Sequence, residues 1–487
     1  MRNKQRRNGV DMDIKGKRVL VIGSGVSGVA AAELLKKLGA VVVLLDGNQE
    51  LDVEACKEKY PVFADAAIYL GDLPDEERGR IDLVVPSPGV PAELPLVQEF
   101  MERGIPVWGE IELAYRAAKG RIAAITGTNG KTTTTALTGE ILGDYFSDVK
   151  VVGNIGIPYT SVAADTTEET VTVAEISSFQ LETIHSFHPV ISAILNITPD
   201  HLNRHHTMEC YIAAKESITK NQGPSDLCVL NYEDGVLRAF GEGLKTRVLF
   251  FSSKRELSHG LYVKDGVIWY APGGTEDEAL RGKERSAEVE GEPSGAADRA
   301  PVRIVATEEL TLLGEHNYEN VMAATGIALG FGVPTEKIRE TLKRFQAVEH
   351  RIEYVTEKRG VRYYNDSKGT NPDAAIKAVQ AMNRPTLLIG GGYDKESDYD
   401  EWIESFQGKI KKLVLIGQTR EKIAKCAHAH GFTQVVLCDT LEEAVGICAA
   451  EAKEGDAVLL SPACASWGMF QNYEERGRMF KEYVNAL

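Results

Sequence analysis

A segment rich in glycine and threonine could hold the phosphates of a nucleotide. The residues Gly127-Thr-Asn-Gly-Lys-Thr-Thr133 follow a strand-like run at 121–125 and precede a predicted helix. Backbone amides in such a loop can cradle phosphates, Lys131 can neutralise their β- and γ-oxygens, and Thr132 can ligate Mg²⁺. The standard phosphate loop would need its first glycine at position 125, which is Ile125. We therefore predict a shorter loop with the same chemistry.

Two further strand ends carry side chains that suit a metal ion. Glu175 follows the apolar run Val171–Ala174, and His201 follows the run Ile191–Leu195. A carboxylate beside a phosphate loop suits Mg²⁺ or its bound waters, and His201 could ligate a second cation. The alternatives are that Glu175 is a solvated strand end and that His201 is an ordinary polar residue.

Lys215 lies on the apolar face of a predicted helix at 208–218. Met208, either Tyr211 or Ile212, and Ile218 share its stripe at the helical period. A lysine in this position can extend its ammonium to solvent. Alternatively, desolvation lowers its pKa, and the neutral amine can add CO₂ to give a carbamate that binds a hard cation. The carbamate is our prediction.

Three more predicted strand ends bear lysines and hydroxyl groups. These segments are Tyr364-Asn-Asp-Ser-Lys-Gly-Thr-Asn371, Gly390-Gly-Gly-Tyr-Asp-Lys395 and Ser461-Pro-Ala-Cys-Ala-Ser466. Ligands of parallel sheets bind outside the carboxyl ends of the strands, so these segments predict a site for a small anion. Cys464 has no histidine nearby in the sequence, and we interpret it as a packing residue rather than a nucleophile.

The first glycine-rich turn of the chain matches a dinucleotide-binding pattern. Gly23, Gly25 and Gly28 follow the apolar run Arg18–Ile22, and Asp46 comes eighteen residues after the last glycine. These glycines allow a diphosphate to approach a helix N-terminus. An alternative is that they serve only strand–helix packing. A dehydrogenase would also need a nicotinamide site, and no such set of residues is evident.

Apolar runs alternate with helical patterns along the whole chain, which predicts α/β sheets throughout. We predict a flexible tail at 1–15 and three domains at 16–112, 113–333 and 334–487. Within the second domain, residues 273–300 are charged and lack aliphatic periodicity. They are predicted to form a disordered insertion, with an exposed charged helix as the alternative.

Length and composition restrict the possible functions. The chain has 487 residues, which suggests about three domains. Its 55 Lys and Arg against 71 Asp and Glu give a net charge of −16, which argues against a general nucleic-acid binder. Seven scattered cysteines without a CxxC pair are typical of reduced thiols in a cytosol. No apolar run is long enough for a membrane span, so we predict a cytoplasmic protein that binds neither nucleic acid nor membrane.

The motifs resemble those of the Mur ligase family over nearly the whole chain. The resemblance depends on Gly23-Ser-Gly-Val-Ser-Gly28, Ser87-Pro-Gly89, Gly127–Thr133, Gly153-Asn-Ile-Gly156, Glu175-Ile-Ser-Ser-Phe-Gln180, Asp200-His201, Lys215, His316-Asn317 with Asn320, His350-Arg351, Asp366-Ser-Lys368 and Ser461-Pro-Ala-Cys-Ala-Ser466. The last two segments indicate the members that add D-glutamate. The Asp-Asn-Pro-Arg type of motif expected of members that add a diamino acid is missing.

The resemblance implies a Rossmann-like UDP-binding domain, a central P-loop-type ATPase domain and a C-terminal Rossmann-like domain. It implies that the UDP-linked substrate is held by Val26, Ser27, Asp46, Ser87 and Asn154. It assigns ATP to Gly127, Thr128, Asn129, Gly130, Lys131, Thr132, Thr133, Asn317, Asn320, Arg351 and Asp366. It places two Mg²⁺ ions near Thr132, Glu175, His201 and a carbamylated Lys215, and it assigns D-glutamate to Lys368, Thr370, Lys395, Ser466 and Tyr473. The expected catalytic residues are Lys131, Glu175, His201 and Lys215.

The implied activity is an ATP-dependent amide ligation that adds D-glutamate to UDP-N-acetylmuramoyl-L-alanine through an acyl phosphate, during peptidoglycan precursor synthesis. We expect a monomer whose partners are its small-molecule substrates. Two other hypotheses remain at this stage. One is a folylpolyglutamate-type or other amide ligase on the same ATPase core, although the glycine-rich first domain separates the chain from that group. The other is a nucleotide-dependent switch, whose phosphate release would not depend on an amino acid.

Overall fold

The computed structural model describes residues 14–154, 157–273, 300–346 and 348–487. The predicted insertion at 273–300 lies outside the described residues except for its two ends, as does the predicted tail except for residues 14 and 15. The chain divides into two compact units, one formed by Met1–Lys264, Trp269–Ile304 and Glu319–Arg339, and the other by Asp265–Ile268, Val305–Tyr318 and Glu340–Leu487. The three domain boundaries drawn from the sequence stay a prediction.

The first sheet has four parallel strands in the order β3-β2-β1-β4. Its strands are Arg18–Ile22 (β1), Val41–Asp46 (β2), Ala67–Leu70 (β3) and Leu83–Pro86 (β4). The helices of this region are Val26–Lys37 (α1), Val53–Lys59 (α2), Asp75–Arg78 (α3), Pro95–Glu102 (α4) and Glu110–Ala117 (α5). Because apolar side chains are buried on both faces of β1, its sequence is a continuous apolar run rather than an alternating one.

The second sheet has nine strands in the order β13-β12-β11-β10-β9-β8-β5-β7-β6. They are Arg121–Thr126 (β5), Val149–Gly153 (β6), Val171–Glu175 (β7), Ile191–Ile194 (β8), Leu227–Asn231 (β9), Arg247–Ser252 (β10), Gly260–Lys264 (β11), Val267–Ala271 (β12) and Val302–Ala306 (β13). The pairings from β6 to β11 are parallel. The carboxyl ends of β5, β7 and β8 therefore meet at one edge of the sheet.

Among the described residues, eight α-helices accompany this second sheet. They are Lys131–Gly143 (α6), Tyr159–Val162 (α7), Ser178–Leu181 (α8), Leu202–His205 (α9), Met208–Glu216 (α10), Gly235–Gly243 (α11), Glu315–Gly330 (α12) and Thr335–Arg344 (α13). The Thr207 hydroxyl accepts a hydrogen bond from the Cys210 amide and thereby caps the start of α10. The predicted helix at 208–218 is confirmed up to Glu216, after which the chain continues as a 3₁₀ turn at Ser217–Thr219.

The third sheet has six strands in the order β14-β15-β19-β16-β17-β18. They are Glu353–Lys358 (β14), Val361–Asn365 (β15), Thr386–Gly390 (β16), Ile410–Leu415 (β17), Val435–Leu437 (β18) and Ala457–Leu460 (β19). Only the pairing of β14 with β15 is antiparallel. The accompanying helices are Pro372–Ala381 (α14), Asp400–Glu404 (α15), Arg420–Ala429 (α16), Leu441–Glu451 (α17) and Tyr473–Ala486 (α18). The prediction of an α/β fold throughout is confirmed.

Within the described parts of the chain, no helix is both long and apolar enough to cross a bilayer.

Candidate functional site

The loop between β5 and α6 has two glycines in backbone conformations that favour glycine. Gly127 and Gly130 have φ angles of 146° and 84°, which L-residues with side chains rarely adopt. A Cβ atom on Gly130 would also lie 2.2 Å from the Asn320 Oδ1. Glycine is therefore required at these positions, and the predicted short loop is present between its strand and its helix.

Asn196, directly after β8, fixes the tip of this loop. Its Oδ1 accepts a hydrogen bond from the Asn129 amide at 2.8 Å, and its Nδ2 donates to the Asn129 carbonyl at 3.2 Å. The Thr128 hydroxyl accepts a hydrogen bond from the Thr198 amide at 3.0 Å. The sequence analysis missed Asn196, although its place at a strand end beside the loop was a usable signal.

Lys131 lies folded over its own loop. Its Nζ donates hydrogen bonds to the carbonyl oxygens of Gly127 at 2.8 Å and Thr128 at 2.9 Å. The ammonium is therefore held beside the loop that is predicted to receive phosphates. Thr132 and Thr133, in the first turn of α6, are both buried.

Lys215 is buried beside the same loop. Its side chain does not reach solvent, since the residue is only 2% exposed, and its Nζ donates a hydrogen bond to the Gly127 carbonyl at 2.9 Å. Burial, together with the positive charge of Lys131, lowers the pKa of Lys215 to about 7. The alternative of an ammonium extended to solvent is thus wrong, and a large fraction of the amine is neutral near pH 7.

Tyr211 lies one turn before Lys215 on α10 and connects it to the loop. Its hydroxyl is 3.0 Å from the Thr128 Oγ1, and the Lys215 Nζ lies 4.7 Å from the centre of its ring. The sequence analysis placed Tyr211 on the apolar stripe but gave it no role at the site. The spacing of four residues from Lys215 was the available signal.

Glu175, at the end of β7, is 1% exposed. Its Oε1 accepts a hydrogen bond from the Asn154 Nδ2 at 2.9 Å, while its Oε2 is buried without a hydrogen-bond partner among the described residues. A buried carboxylate oxygen without a donor is costly unless a cation or its water meets it. The residue therefore fits a metal site.

His201 has a different setting from Glu175. It is exposed, adopts a left-handed backbone with φ of 53°, and has its Nε2 at 3.4 Å from the Asp200 Oδ2. Its ring centre lies 4.9 Å from that of Phe179, on α8. The imidazole is thus accessible to a ligand and lies near a carboxylate.

The glycine-rich turn after β1 is tightly packed. A Cβ on Gly28 would lie 1.9 Å from the Gly23 carbonyl oxygen, so α1 can approach the turn only with glycine there. The Asp46 carboxylate accepts hydrogen bonds from the Ser24 amide at 2.8 Å and the Ser24 hydroxyl at 2.6 Å. Burial would raise the pKa of Asp46, but these bonds and one from the Asn48 amide lower it below its usual range.

The other residues assigned to the UDP-linked substrate differ in accessibility. Val26 is 72% exposed at the start of α1, and Ser27 follows it. The Ser87 hydroxyl is buried without a hydrogen-bond partner among the described residues, and a Cβ on Gly23 would lie 2.9 Å from it. Asn154 is already bonded to Glu175. The structure thus brings Ser27, Ser87 and Asp46 to one turn, and it brings Asn154 to the Glu175 carboxylate.

The three predicted strand ends of the second unit lie side by side, because β15, β19 and β16 are neighbours in the sheet. Lys368 lies after β15, with its Nζ 5.3 Å from the ring centre of Tyr473. Lys395 lies after β16, with its Nζ 4.7 Å from the ring centre of the exposed Trp467. Ser466 is buried after β19, and Thr370 is partly buried. The structure therefore places Lys368, Thr370, Lys395 and Ser466 along the edge of the sheet where the parallel strands end.

Asp366 holds two of these strand ends together. Its Oδ2 accepts a hydrogen bond from the Ser461 hydroxyl at 2.7 Å, and its Oδ1 accepts one from the Ile352 amide at 3.3 Å. Burial raises the pKa of Asp366 to about 7, although Ser461 and Arg351 oppose the rise.

Two other residues assigned to ATP differ in their hydrogen bonding. The Arg351 Nε is buried without a hydrogen-bond partner among the described residues. The Asn317 Nδ2 donates to the Leu313 carbonyl at 2.7 Å.

Arg476, on α18, is a completely buried cation that the sequence analysis missed. Its guanidinium donates to the Ser367 hydroxyl at 3.0 Å, the Ser367 carbonyl at 2.8 Å and the Cys464 carbonyl at 3.2 Å. Burial lowers its pKa to about 10. Arg476 thereby connects the segment of Lys368 to the segment of Ser466. Nothing in its sequence surroundings distinguished it from the other charged residues of α18.

Cys464 contacts hydroxyl groups rather than a base. Its Sγ lies 3.1 Å from the Tyr399 hydroxyl and 3.3 Å from the Thr419 Oγ1. Burial raises the pKa of the thiol. These contacts support the interpretation of Cys464 as a packing residue.

Three family descriptions match successive parts of this chain. The description "Mur ligase MurD-like, N-terminal domain" matches residues 17–109, "Mur ligase middle domain" matches 125–328, and "Mur ligase, glutamate ligase domain" matches 350–464. The chain is 54% identical over 476 residues to the UDP-N-acetylmuramoylalanine–D-glutamate ligase of Lachnoclostridium phytofermentans, covering 98% of this chain and 99% of that protein. It is 46% identical over 480 residues to the ligase of the same name from a Thermoanaerobacter species, covering 98% of this chain and 100% of that protein.

Solved structures share the fold at low sequence identity. MurF from Acinetobacter baumannii matches with a TM-score of 0.58 and 16% identity, covering 96% of this chain and 94% of that chain. The UDP-N-acetylmuramate-alanine ligase MurC from Thermotoga maritima matches with a TM-score of 0.56 and 18% identity, covering 96% and 99%. MurF from Thermotoga maritima, solved in complex with ADP, matches with a TM-score of 0.55 and 17% identity, covering 97% and 96%.

Proposed function

Because this chain belongs to the Mur ligase family, whose members are ATP-dependent, we propose that it joins D-glutamate to UDP-N-acetylmuramoyl-L-alanine in peptidoglycan precursor synthesis. The observation that carries this proposal is the 54% identity, over nearly its full length, to a protein with that activity in its name. The reaction needs a site for ATP phosphates and a site for an anionic amino acid. The loop at Gly127–Thr133 and the sheet edge that carries Lys368 and Lys395 support the proposal, because they suit these two ligands.

The reaction requires activation because oxide is a poor leaving group from a carboxylate. The L-alanine carboxylate attacks the γ-phosphorus of ATP, the bond to the β-γ bridging oxygen breaks, and ADP leaves. The amine nitrogen of D-glutamate then attacks the carbonyl carbon of the acyl phosphate. The tetrahedral intermediate expels phosphate and the nitrogen loses a proton to solvent, which leaves an amide. Phosphoryl transfer of this kind depends mainly on alignment and charge neutralisation.

For ATP, the amides of the loop from Gly127 to Thr133 would surround the phosphates. Lys131 already lies beside this loop and would exchange its two carbonyl acceptors for phosphate oxygens. The roles of Asn317 and Asn320 toward adenine, and of Arg351 and Asp366 toward the ribose or phosphates, remain predictions based on the family resemblance.

For Mg²⁺, we propose two sites formed by Thr132, Glu175, His201 and a carbamylated Lys215. The unpartnered Oε2 of Glu175 and the accessible imidazole of His201 support this set. When bound, Mg²⁺ would neutralise phosphate charge. Asn154, by its hydrogen bond to the Glu175 Oε1, would keep the other carboxylate oxygen directed to the ion.

Carbamylation of Lys215 consumes a neutral amine and one CO₂, and it gives an N-carboxylate and a proton. The burial of the Lys215 amine and its lowered pKa support the presence of the neutral amine that this reaction needs. The product is an anion, so it would remove the repulsion between Lys215 and Lys131 and offer two oxygens to a hard cation. We propose this modification as part of the active enzyme.

For D-glutamate, we propose the edge formed by Lys368, Thr370, Lys395, Ser466 and Tyr473. A substrate with two carboxylates needs cationic and hydroxyl donors in a protein of net charge −16.

For the UDP-linked substrate, we propose Val26, Ser27 and Ser87 at the turn after β1. Asp46 already accepts two hydrogen bonds from Ser24 of this turn and one from the Asn48 amide after β2, so its role would be to shape the turn. A monomeric state and a cytoplasmic location remain predictions.

The test is phosphate release that depends on the amino acid. Purified protein with ATP, Mg²⁺ and UDP-N-acetylmuramoyl-L-alanine should release phosphate with D-glutamate and much less with L-glutamate. The amide product is checked by mass spectrometry. Release that is indifferent to the amino acid would favour the nucleotide-dependent switch, and activity with a folate substrate would favour the folylpolyglutamate-type ligase.

A further inference from the structure

Three potential metal ligands converge on the surface of the second unit, on α15 and α16. Asp400 begins α15, Cys426 lies on α16, and His430 follows the last turn of α16. A carboxylate oxygen, the thiol sulfur and an imidazole nitrogen of these residues all lie within 4.8 Å of one another. We call this group the α15–α16 cluster. None of its members has a role in the proposed ligase reaction.

The ligand types of the cluster are those that Zn²⁺ and related ions prefer. Thiolate, imidazole and carboxylate are the three usual protein ligands of Zn²⁺, whereas Mg²⁺ prefers oxygen. Cys426 and His430 are four residues apart, so they project from the same side of α16. A fourth position would remain for water.

The histidine of the cluster lies between two carboxylates. The Nε2 of His430 is hydrogen-bonded to the Asp400 Oδ1 at 2.6 Å, and its Nδ1 is 3.7 Å from the Glu404 Oε1, which is too long for a hydrogen bond. Histidines that bind metals with one ring nitrogen usually direct the other toward a carboxylate or carbonyl. The His430 ring thus has Nε2 on the side of Asp400, and a small movement of Glu404 would give Nδ1 such a partner.

Access and charge also favour a cation. An open cleft of about 460 Å³ is lined by Asp398, Asp400 and Cys426, so an ion can reach the cluster from solvent. Lys422 and Lys425 also line this cleft, but Lys422 is paired with Asp394, with its Nζ at 3.2 Å from the Oδ1. The carboxylates of Asp398 and Asp400 lie next to the thiol in this cleft, and an ion bound there would replace the hydrogen bond between Asp400 and His430.

A second group of potential metal ligands is formed by Glu349, His350 and Glu353. Lys481 donates to both glutamates, at 3.0 Å for Glu353, and the Asn365 Nδ2 lies 2.9 Å from the His350 Nδ1. Asp400 and His430 of the α15–α16 cluster are also hydrogen-bonded to each other. The two groups differ in that only the α15–α16 cluster contains a thiol, the ligand that distinguishes an ion of the Zn²⁺ class from Mg²⁺.

We propose that Asp400, Cys426 and His430 bind a divalent transition-metal ion of the Zn²⁺ class. Binding displaces the thiol proton to solvent, and the proton that the His430 Nε2 donates to Asp400 leaves this nitrogen, so that the imidazole is neutral with its proton on Nδ1. The sulfur, the Nε2 and a carboxylate oxygen then form bonds to the ion. The ion joins the start of α15 to the end of α16. Because the segment from Lys395 leads directly into α15, the ion also holds one end of that segment.

The test uses Co²⁺ as a spectroscopic probe of thiolate ligation, with the full-length protein stripped of metal by a chelator. Titration in excess Mg²⁺ should give a thiolate-to-Co²⁺ charge-transfer band that saturates at one ion per chain and disappears on addition of Zn²⁺. Cys426→Ser should abolish the band. His430→Gln should weaken Co²⁺ binding by about tenfold or more, as loss of a ligand contact would.

Cys210→Ser is the matched control, because Cys210 is an exposed thiol on α10 that belongs to neither group of potential metal ligands among the described residues. This variant should keep the full band. The absence of a charge-transfer band in the wild-type protein, its persistence in Cys426→Ser or its loss in Cys210→Ser would each overturn the proposal. Thermal melting of the metal-free variants verifies that each is folded. Because Co²⁺ binding is measured without substrates, the result does not depend on the proposed ligase activity.

Discussion

Lys131 and Lys215 share one acceptor, the carbonyl oxygen of Gly127, at 2.8 and 2.9 Å. Two ammonium groups on one oxygen repel each other, and this repulsion is part of the reason why the pKa of Lys215 falls to about 7. The charge state of Lys215 and the charge of Lys131, which we propose neutralises phosphate, are therefore linked through a single backbone atom.

Lys131→Ala is expected to reduce ADP formation by about 100-fold or more, because it removes the charge that meets the γ-phosphoryl group in the transition state. The rate is measured with saturating substrates, and circular dichroism verifies the fold. Lys150→Ala is a matched control, since Lys150 lies on the edge strand β6 and is paired with Asp148 at 2.8 Å. A folded Lys131→Ala protein with nearly normal turnover would contradict the assignment.

Lys215→Ala is expected to lose nearly all activity and to regain part of it when acetate is added, because a small carboxylate can occupy the vacated space. Carbamate formation itself is measured in the wild-type protein by carbon-13 NMR after incubation with labelled bicarbonate. Lys220→Ala, at an exposed lysine five residues further on, should keep both the NMR signal and the activity. Undiminished turnover of Lys215→Ala would refute a role for the modification.

The activity should depend on pH and on CO₂ together. Only the neutral amine of Lys215 adds CO₂, and this form becomes dominant as the pH rises through about 7. At low bicarbonate the rate should therefore rise across this range, and added bicarbonate should move the rise to lower pH. The measurement is a set of pH–rate profiles at several bicarbonate concentrations. Profiles that coincide at all concentrations would exclude this explanation.

Lys368→Ala is expected to raise the KM for D-glutamate by roughly ten- to a hundredfold and the KM for ATP much less, because a charge-assisted hydrogen bond contributes about 1.5–3 kcal/mol. Steady-state kinetics with each substrate varied in turn measures the difference. Lys409→Ala serves as control, since Lys409 precedes the first residue of β17, at the end of the sheet where the parallel strands begin, whereas Lys368 lies where they end. Equal losses for all substrates would indicate a structural lysine instead.

Arg476→Ala is expected to lower the free energy of unfolding by at least about 2 kcal/mol, because it leaves the Ser367 and Cys464 carbonyls without their buried charged donor. Urea denaturation of the variant and the wild type provides the comparison. Arg478→Ala, two residues along α18, should change stability little, as it lacks these contacts among the described residues. A wild-type unfolding midpoint for Arg476→Ala would show that the network is dispensable.

Local pattern was enough to predict the α/β fold and the position of most strands. The runs at β1, β5 and β19 are continuous and apolar because both faces are covered, and this property is visible in the sequence. The phosphate loop was predictable for a similar reason, since its glycines are dictated by the backbone at Gly127 and Gly130.

Contacts between distant segments could not be predicted in this way. The burial of Lys215 was only one of two possibilities, and the carbonyl that it meets lies 88 residues earlier in the chain. Arg476 was missed because its partners at Ser367 and Cys464 are defined only once β15 and β19 are paired. Asn196 acts through side-chain hydrogen bonds across neighbouring strands, and the sequence does not specify which strands are neighbours.

The sheet order β15-β19-β16 has a stereochemical consequence. D- and L-glutamate carry the same groups, and a protein can distinguish their handedness only through at least three contacts that do not lie on one line. The ends of β15 and β19, joined by Asp366 and Arg476, provide two fixed points, and Tyr473 on α18, whose ring centre lies 5.3 Å from the Lys368 Nζ, provides a third on a helix rather than on the row of strand ends. Chiral selection would then depend on how α18 is placed against the strand ends, so a single substitution at Lys368 or Ser466 should weaken binding of both enantiomers without inverting the preference between them.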